Sequence, residues 1–375
     1  MSQAPLPPNA TIGILGGGQL GRMSALAAAE LGYRCHVYAP DAGSPGMLVS
    51  AAHTVAGYED AAALAEFAGQ VDVVTFEFEN VPARTLEILA PLVPCRPGRK
   101  ALAVCQDRIL EKTFLEQAGV PVAPWRPVHS LAELQAAVAE LGLPAVLKTT
   151  RLGYDGRGQA VLREPADLAP AFERLQPHPL ILEAFVPFGQ EISAVAARGL
   201  DGQAVAYDAV ENRHHHHILD LSFAPARVPA AAAEAARGHA MRVAAELELV
   251  GVLAVEFFLL PDGRLLGNEI APRPHNSGHW TMDACAASQF HQHIRAVAGL
   301  KLGGVERHSD AVMRNLVGPE GMAKLPALLG DAGVAVHLYG KAEARTGRKM
   351  GHANRLYPRG TLAGGASDAA LLAGL

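Results

Sequence analysis

Gly251-Val252-Leu253-Ala254-Val255-Glu256-Phe257-Phe258-Leu259-Leu260-Pro261-Asp262-Gly263-Arg264-Leu265-Leu266-Gly267-Asn268-Glu269-Ile270 reads as two apolar strands, near 252–260 and 264–270, around a turn. Asp262-Gly263 is a strong two-residue hairpin signal. If those two residues close the turn, Glu256 falls opposite Glu269 on the same face, with Cβ atoms about 4.5–5.5 Å apart. If Pro261 instead opens a three-residue bulged loop, Glu256 pairs with Asn268 and Glu269 falls elsewhere. A carboxylate inside an apolar strand is costly unless paired or bound to a cation. Two facing carboxylates therefore share a proton or bind a cation, and Mg2+ bridging to phosphate is the natural occupant.

Upstream, Lys148 ends the apolar strand near 145–149 and precedes Gly153-Tyr154-Asp155-Gly156-Arg157-Gly158, with a second strand near 159–163 beyond it. Such a loop folds backbone amides over polyphosphate, although it lacks the Gly-Lys-Ser/Thr of a Walker loop. On its own it reads more simply as a turn; the lysine before it and the carboxylates after it favour the phosphate reading. A helix near 168–175, strands near 180–185, 191–197 and 204–210, and an alanine-rich helix near 230–247 make this an α+β region. A helix capped by Asp107 and stopped by Gly119 precedes it.

At the N-terminus, the strand Thr11–Leu15 runs through Gly16-Gly17-Gly18-Gln19-Leu20-Gly21 into an Ala/Leu helix, followed by short apolar runs and helical stretches. That alternation predicts a parallel doubly wound sheet. The glycine turn matches a dinucleotide fingerprint. The second strand, however, ends Tyr38-Ala39-Pro40 without the ribose-binding acid, so a non-nucleotide phosphate site or a structural turn fits better. After about residue 306, strands near 311–317 and 334–339 suggest a separate small β subdomain.

The 375 residues are half hydrophobic and 5% aromatic, which fits two or three α/β globular domains. A formal charge of −5 offers no basic field for nucleic acid or anionic lipid. The four cysteines are far apart and read as reduced thiols. With no run of eighteen apolar residues and no apolar leader, membrane insertion is not expected and the cytoplasm is.

Together these motifs, with Ala271-Pro272-Arg273-Pro274-His275-Asn276-Ser277-Gly278-His279-Trp280-Thr281, resemble the N5-carboxyaminoimidazole ribonucleotide synthases of the ATP-grasp superfamily over nearly the whole chain. The resemblance implies an α/β architecture: an N-terminal Rossmann-like domain (1–105), a central ATP-grasp domain (106–305, lid about 120–190) and a small C-terminal β subdomain (306–375). It implies ATP and Mg2+ as cofactors without biotin, 5-aminoimidazole ribonucleotide and bicarbonate as substrates, and a homodimer. By motif, Arg108 and Lys148 are expected on the ATP phosphates. The lid Gly153, Tyr154, Asp155, Gly156, Arg157, Gly158 and Gln159 covers them, and Glu183, Ala184, Phe185 and Val186 line the adenine pocket. Glu191 is expected on the ribose, with His214, Asn268 and Glu269 completing the site and Glu256 with Glu269 as the metal pair. The ribonucleotide is expected at Gln19, Leu20, Glu77, Arg273, His275, Asn276, Ser277, Lys341, Arg348 and Lys349. Tyr154, Asp155, Arg157 and Lys349 are the catalytic candidates, Asp155 and Arg157 for proton handling and for anchoring an anionic intermediate.

Two departures from the family pattern stand out. Arg345-Thr346-Gly347-Arg348-Lys349 lacks the proline usual before the glycine yet keeps both cations. His214-His215-His216-His217 matches at its first member only; read as a strand, the four alternate faces, a solvated edge rather than a metal site. The rival within the superfamily is a formate-dependent glycinamide ribonucleotide transformylase, against which the lid string and Asn276-Ser277 argue. The rivals outside that class are a nicotinamide oxidoreductase and a non-catalytic nucleotide sensor.

Overall fold

The computed structural model describes residues 4–151, 153 and 158–375. The N-terminal strands Thr11–Leu15, Arg34–Ala39, Ala52–Val55 and Val73–Phe76 form a four-stranded parallel sheet with Thr11–Leu15 second from one edge. The helix Gln19–Glu30 follows the glycine turn and buries Met23, Ala25, Ala27 and Ala28. Phe290, Ile294 and Val297, from the later helix Gln289–Val297, pack into the same core, so the first sheet is docked on the middle of the chain.

The lid is its own antiparallel four-stranded sheet. Its spatial order is Trp125–Val128, Leu180–Ala184, Ala145–Thr149, Gln159–Leu162, and its apolar core is closed by the helices Leu131–Leu141 and Leu168–Leu175. The main sheet has nine strands. From one edge it runs Leu265–Ala271, Gly251–Leu259, Gln190–Arg198, Val210–His215, Ile218–Ala224, Ser309–Val317, Lys349–Pro358, Val334–Leu338, with Ala204–Ala206 on the third. The long helix Ala230–Glu246 covers one face through Ala236, Ala240, Val243 and Ala244.

This topology corrects the expectation of a separate C-terminal β subdomain. Ser309–Val317 pairs directly with Ile218–Ala224 and continues the central sheet, because Ala311 and Met313 belong to the apolar cluster that holds Trp280 and Val252.

The hairpin also differs in its turn. Leu260 N–H donates to Arg264 O at 2.9 Å around Pro261-Asp262-Gly263, and Gly263 has φ +88°, so the loop has three residues rather than two. Near the loop Phe257 consequently faces Gly267, but the register shifts between Glu256 and Phe257 and restores Glu256 opposite Glu269. The expected pairing is present, produced by a bulge at Asn268 and not by the expected turn.

The four histidines are corrected likewise. Only His214 and His215 belong to the strand, while His216 (φ +48°) and His217 (φ +64°) make a tight turn of the left-handed kind that hairpins favour.

Candidate active site

One cleft between lid and main sheet is lined by most of the residues singled out above: Gln19, Leu20, Glu77, Arg108, Lys148, Gly153, Gln159, Glu183 to Val186, Glu191, His214, Glu256, Asn268, Glu269, Arg273, His275, Asn276 and Lys349. Gly158 starts the lid strand outside that lining, and Tyr154, Asp155, Gly156 and Arg157 lie outside the described residues. Ser277 is fully buried behind the wall. Lys341 stands beside it, its Nζ donating to Lys349 O at 2.8 Å, and Arg348 donates to Glu343 O at 3.1 Å.

The phosphate-binding side is a buried charge ladder. Lys148 Nζ, on the inner lid strand, is 3.0 Å from Glu183 Oε1, while Lys112 Nζ reaches Glu183 Oε2 at 3.4 Å. Burial alone raises the Glu183 pKa, but the charges of Lys112, Lys148 and Arg108 outweigh it and take the carboxyl down to about 2. Glu183 thus acts as the fixed counter-charge that orients Lys148. Burial, with the Lys112 and Arg108 charges, lowers the Lys148 ammonium against the pull of Glu183.

Lys112 and Glu111 were not singled out in the sequence. They share the helix Arg108–Gln117, whose buried face is Glu111, Lys112 and Leu115. Charges at spacing i, i+3, i+4 beside a leucine at i+7 read as a solvated stripe, yet this helix turns that stripe inward. Glu111 Oε1 accepts from Ile270 N–H at 2.6 Å, and burial plus the Glu269 charge pushes its pKa up to about 8.

Glu256 Oε1 is 3.1 Å from His275 Nε2, and Glu269 Oε2 is 3.4 Å from Arg108 Nη1. Burial raises the Glu256 pKa, but the His275 hydrogen bond and the His214 and Lys349 charges carry it below the usual carboxylate range. His214 Nδ1 lies 2.7 Å from Glu191 Oε2, and this bond raises the imidazole pKa against the effect of burial. The two facing carboxylates share the cleft with Asn268 Oδ1, a buried oxygen without a partner among the described residues. That oxygen-only set fits Mg2+. No group of three or more His, Cys, Asp or Glu among the described residues forms a protein-only metal site, so phosphate oxygens would have to complete the coordination.

Across the cleft, the N–H groups of Gly18 and Gly21 donate to the Glu77 carboxylate, the second at 2.6 Å. A Cβ on Gly18 would stand 2.6 Å from Glu77 Oε1, so the turn's glycines admit a carboxylate against the backbone. Two amides read as a ribonucleotide site are therefore already occupied. Burial raises the Glu77 pKa in spite of those bonds.

Arg273 is gripped by Glu79, which was also missed in the sequence, through Nε and through Nη2 at 3.0 Å. Both polar atoms of the Asn276 side chain are buried without partners among the described residues, in the wall of the cleft. Unpaired buried amides are expensive, and a ligand able to pair with them would recover that cost.

Comparison with known proteins follows the same division of the chain. A ribonucleotide synthetase preATP-grasp domain matches residues 9–106, an ATP-grasp domain 113–290, and a phosphoribosylaminoimidazole carboxylase C-terminal domain 311–359. The chain is 50% identical over 361 residues to the N5-carboxyaminoimidazole ribonucleotide synthase of Brucella melitensis, covering 96% of this chain and 99% of that one. The Bacillus subtilis enzyme of the same name is 45% identical, with 94% and 93% covered. Among solved structures, the Aspergillus clavatus enzyme in complex with ADP and 5-aminoimidazole ribonucleotide superposes with TM-score 0.88 at 33% identity, covering 93% and 94%.

Proposed function

This chain belongs to the N5-carboxyaminoimidazole ribonucleotide synthases, ATP-grasp ligases that carboxylate 5-aminoimidazole ribonucleotide in purine biosynthesis, and from that premise we propose how its cleft performs the reaction. The observation that carries the proposal is the placing of Glu256 opposite Glu269 in the same cleft as the Glu183-clamped Lys148.

ATP lies with its base against Ala184–Val186 and its phosphates toward Lys148 and Arg108. Phe188 and Phe258, stacked at 4.6 Å, add apolar wall on that side. Bicarbonate oxygen attacks the terminal phosphorus, the bond to ADP breaks, and carboxyphosphate forms. Carboxyphosphate then releases inorganic phosphate and carbon dioxide, whose carbon takes the lone pair of the ribonucleotide's amine. The amine loses one proton and the carbamate results.

Phosphoryl transfer needs positioning and neutralisation of charge more than covalent help. Lys148 and Arg108 supply fixed cations, and neither must reorganise, because Glu183 and Glu269 already hold them. Mg2+, held by Glu256, Glu269 and Asn268 Oδ1, supplies further neutralisation of the phosphate oxygens. Lys349, Lys341 and Arg348 meet the ribonucleotide's phosphate, and Asn276 pairs with its polar edge. Asp155 and Arg157 of the lid remain the candidates for handling the amine proton and anchoring carboxyphosphate.

Bicarbonate as the carbon source, a biotin-free route, a homodimer and a cytoplasmic setting complete the proposal and rest on the family resemblance. No helix among the described residues is long and apolar enough to cross a membrane.

The test is Lys148→Ala. Loss of a preorganised phosphate contact lowers turnover by about a hundredfold or more at saturating ATP. Unchanged phosphate release would remove Lys148 from the mechanism.

A further inference from the structure

A line of buried hydrogen bonds crosses the main sheet and ends on the metal-side carboxylate. Ser222 Oγ donates to Asn212 Oδ1 at 2.8 Å, and Asn212 Nδ2 donates to Ser193 Oγ at 2.9 Å. Ser193 Oγ meets Ser277 Oγ at 2.7 Å, and Ser277 Oγ meets His275 Nδ1 at 2.8 Å. His275 Nε2 lies 3.1 Å from Glu256 Oε1. Strand register builds this line, since Ser193 faces Glu256 and Asn212 faces Ser222. Ser193, Ser222 and Ser277 are all fully buried, in a sheet that apolar residues at those positions would serve equally well.

The direction of the protons follows from one bond. The backbone N–H of Ser277 donates to His275 Nδ1 at 3.3 Å and caps the short turn Asn276–Gly278. A backbone N–H is only ever a donor, so Nδ1 is an acceptor and the ring proton sits on Nε2. Ser277 then donates to Nδ1, Ser193 to Ser277 and Asn212 to Ser193, each hydroxyl proton being used once.

We propose that His275 is a positioning residue, locked by Ser277, Ser193 and Asn212 as an Nε2–H donor that holds Glu256 in the orientation its cation requires, and that it neither takes nor gives a proton in the reaction. Resting on the reading of Glu256 as a metal carboxylate, the proposal assigns His275 the outer-shell role that orients such ligands. It also explains why Asn276, and not His275, offers unpaired polar atoms to a ligand: both His275 nitrogens are already engaged.

Two measurements test it. In full-length protein labelled with 15N at histidine, long-range correlation spectra identify the His275 ring by its loss in His275→Gln. The expected pattern is a protonated Nε2 and a bare Nδ1; a bare Nε2, or an imidazolium, overturns the proposal. Separately, Mn2+ binding in the presence of ADP is followed by electron paramagnetic resonance. His275→Gln, whose amide still donates to Glu256, keeps the affinity within about threefold, whereas His275→Leu weakens it about tenfold or more. Equal affinity in His275→Leu and the parent overturns the proposal, as does an equally deep loss in a folded His275→Gln. If the parent itself binds no Mn2+ with ADP, the metal reading of Glu256 fails, and the ring-nitrogen result still decides the tautomer lock.

Discussion

Lys341 stands where the C-terminal segment meets the glycine turn, and burial together with the Arg348 charge pushes its ammonium down to about 8, against the opposing pull of Glu77. Below that pH it is a cation facing an anionic substrate; above it the charge is lost. The KM for the ribonucleotide should therefore rise between pH 7 and pH 9, by up to about tenfold, since about a tenth of the side chains keep the proton one unit above their pKa. Lys341→Arg, with a cation that does not titrate in this range, should flatten the rise; a rise of equal size in that variant contradicts the assignment.

Lys349 lies deeper, and its charge already reaches Glu256. Lys349→Ala should raise the ribonucleotide KM at least about tenfold, the loss of about 1.5–3 kcal/mol that goes with one charge-assisted contact. Binding of ATP, measured by calorimetry, should stay within about twofold, and a matching fall would place Lys349 in the ATP site. Single residues with a motif around them, such as Lys148 and Glu256, were legible in the sequence. Glu79, Glu111 and Lys112 were not, because a charged side chain on a helix or loop carries no sign that its neighbours bury it.

The hairpin Gly251–Leu259 with Leu265–Ala271 shows what an element discloses and what it hides. Its existence follows from two apolar runs around Asp262-Gly263, but its register depends on a bulge that no local pattern announces. Lys112 appears to the sequence as surface charge; in the fold its Nζ donates to Asn268 O at 2.9 Å and Gly267 O at 3.3 Å, so it ties down the bulge that restores Glu256 opposite Glu269.

Lys112→Met keeps the aliphatic stem but leaves those carbonyls and part of Glu183 unpaired, a loss of about 1.5–3 kcal/mol for hydrogen bonds to a charged group. A urea unfolding midpoint clearly below that of the parent is expected, together with weaker Mn2+ binding in the presence of ADP. An unchanged midpoint and unchanged Mn2+ affinity would separate Lys112 from the register. The strand Lys349–Pro358 was overlooked for a related reason: His352 and Asn354 are fully buried, so the apolar alternation that marks a strand is broken by polar side chains facing inward.

At the scale of the molecule, three sheets converge on one cleft. The N-terminal parallel sheet brings Gln19, Leu20 and Glu77, the lid brings Lys148 and Glu183, and the main sheet brings Glu256 and Glu269. Because Lys349–Pro358 pairs with Ser309–Val317 within the main sheet, Lys349 is anchored to the same framework as the carboxylates. The alternation of strands and helices made the α/β class legible, and the lid and Arg273–Thr281 strings made the family so. The continuity of the last strands with the central sheet was not legible, since strand order is decided by contacts far apart in sequence.

The central claim is that this cleft couples ATP cleavage to carboxylation of one particular amine. The direct measurement supplies the full-length chain with ATP, Mg2+, 13C-bicarbonate and 5-aminoimidazole ribonucleotide, and follows phosphate release beside the 13C signal of the new carbamate. The account predicts one phosphate for each labelled carbamate and little phosphate when the ribonucleotide is left out. Phosphate release that ignores the ribonucleotide, or coupling instead to formate and glycinamide ribonucleotide, would contradict it.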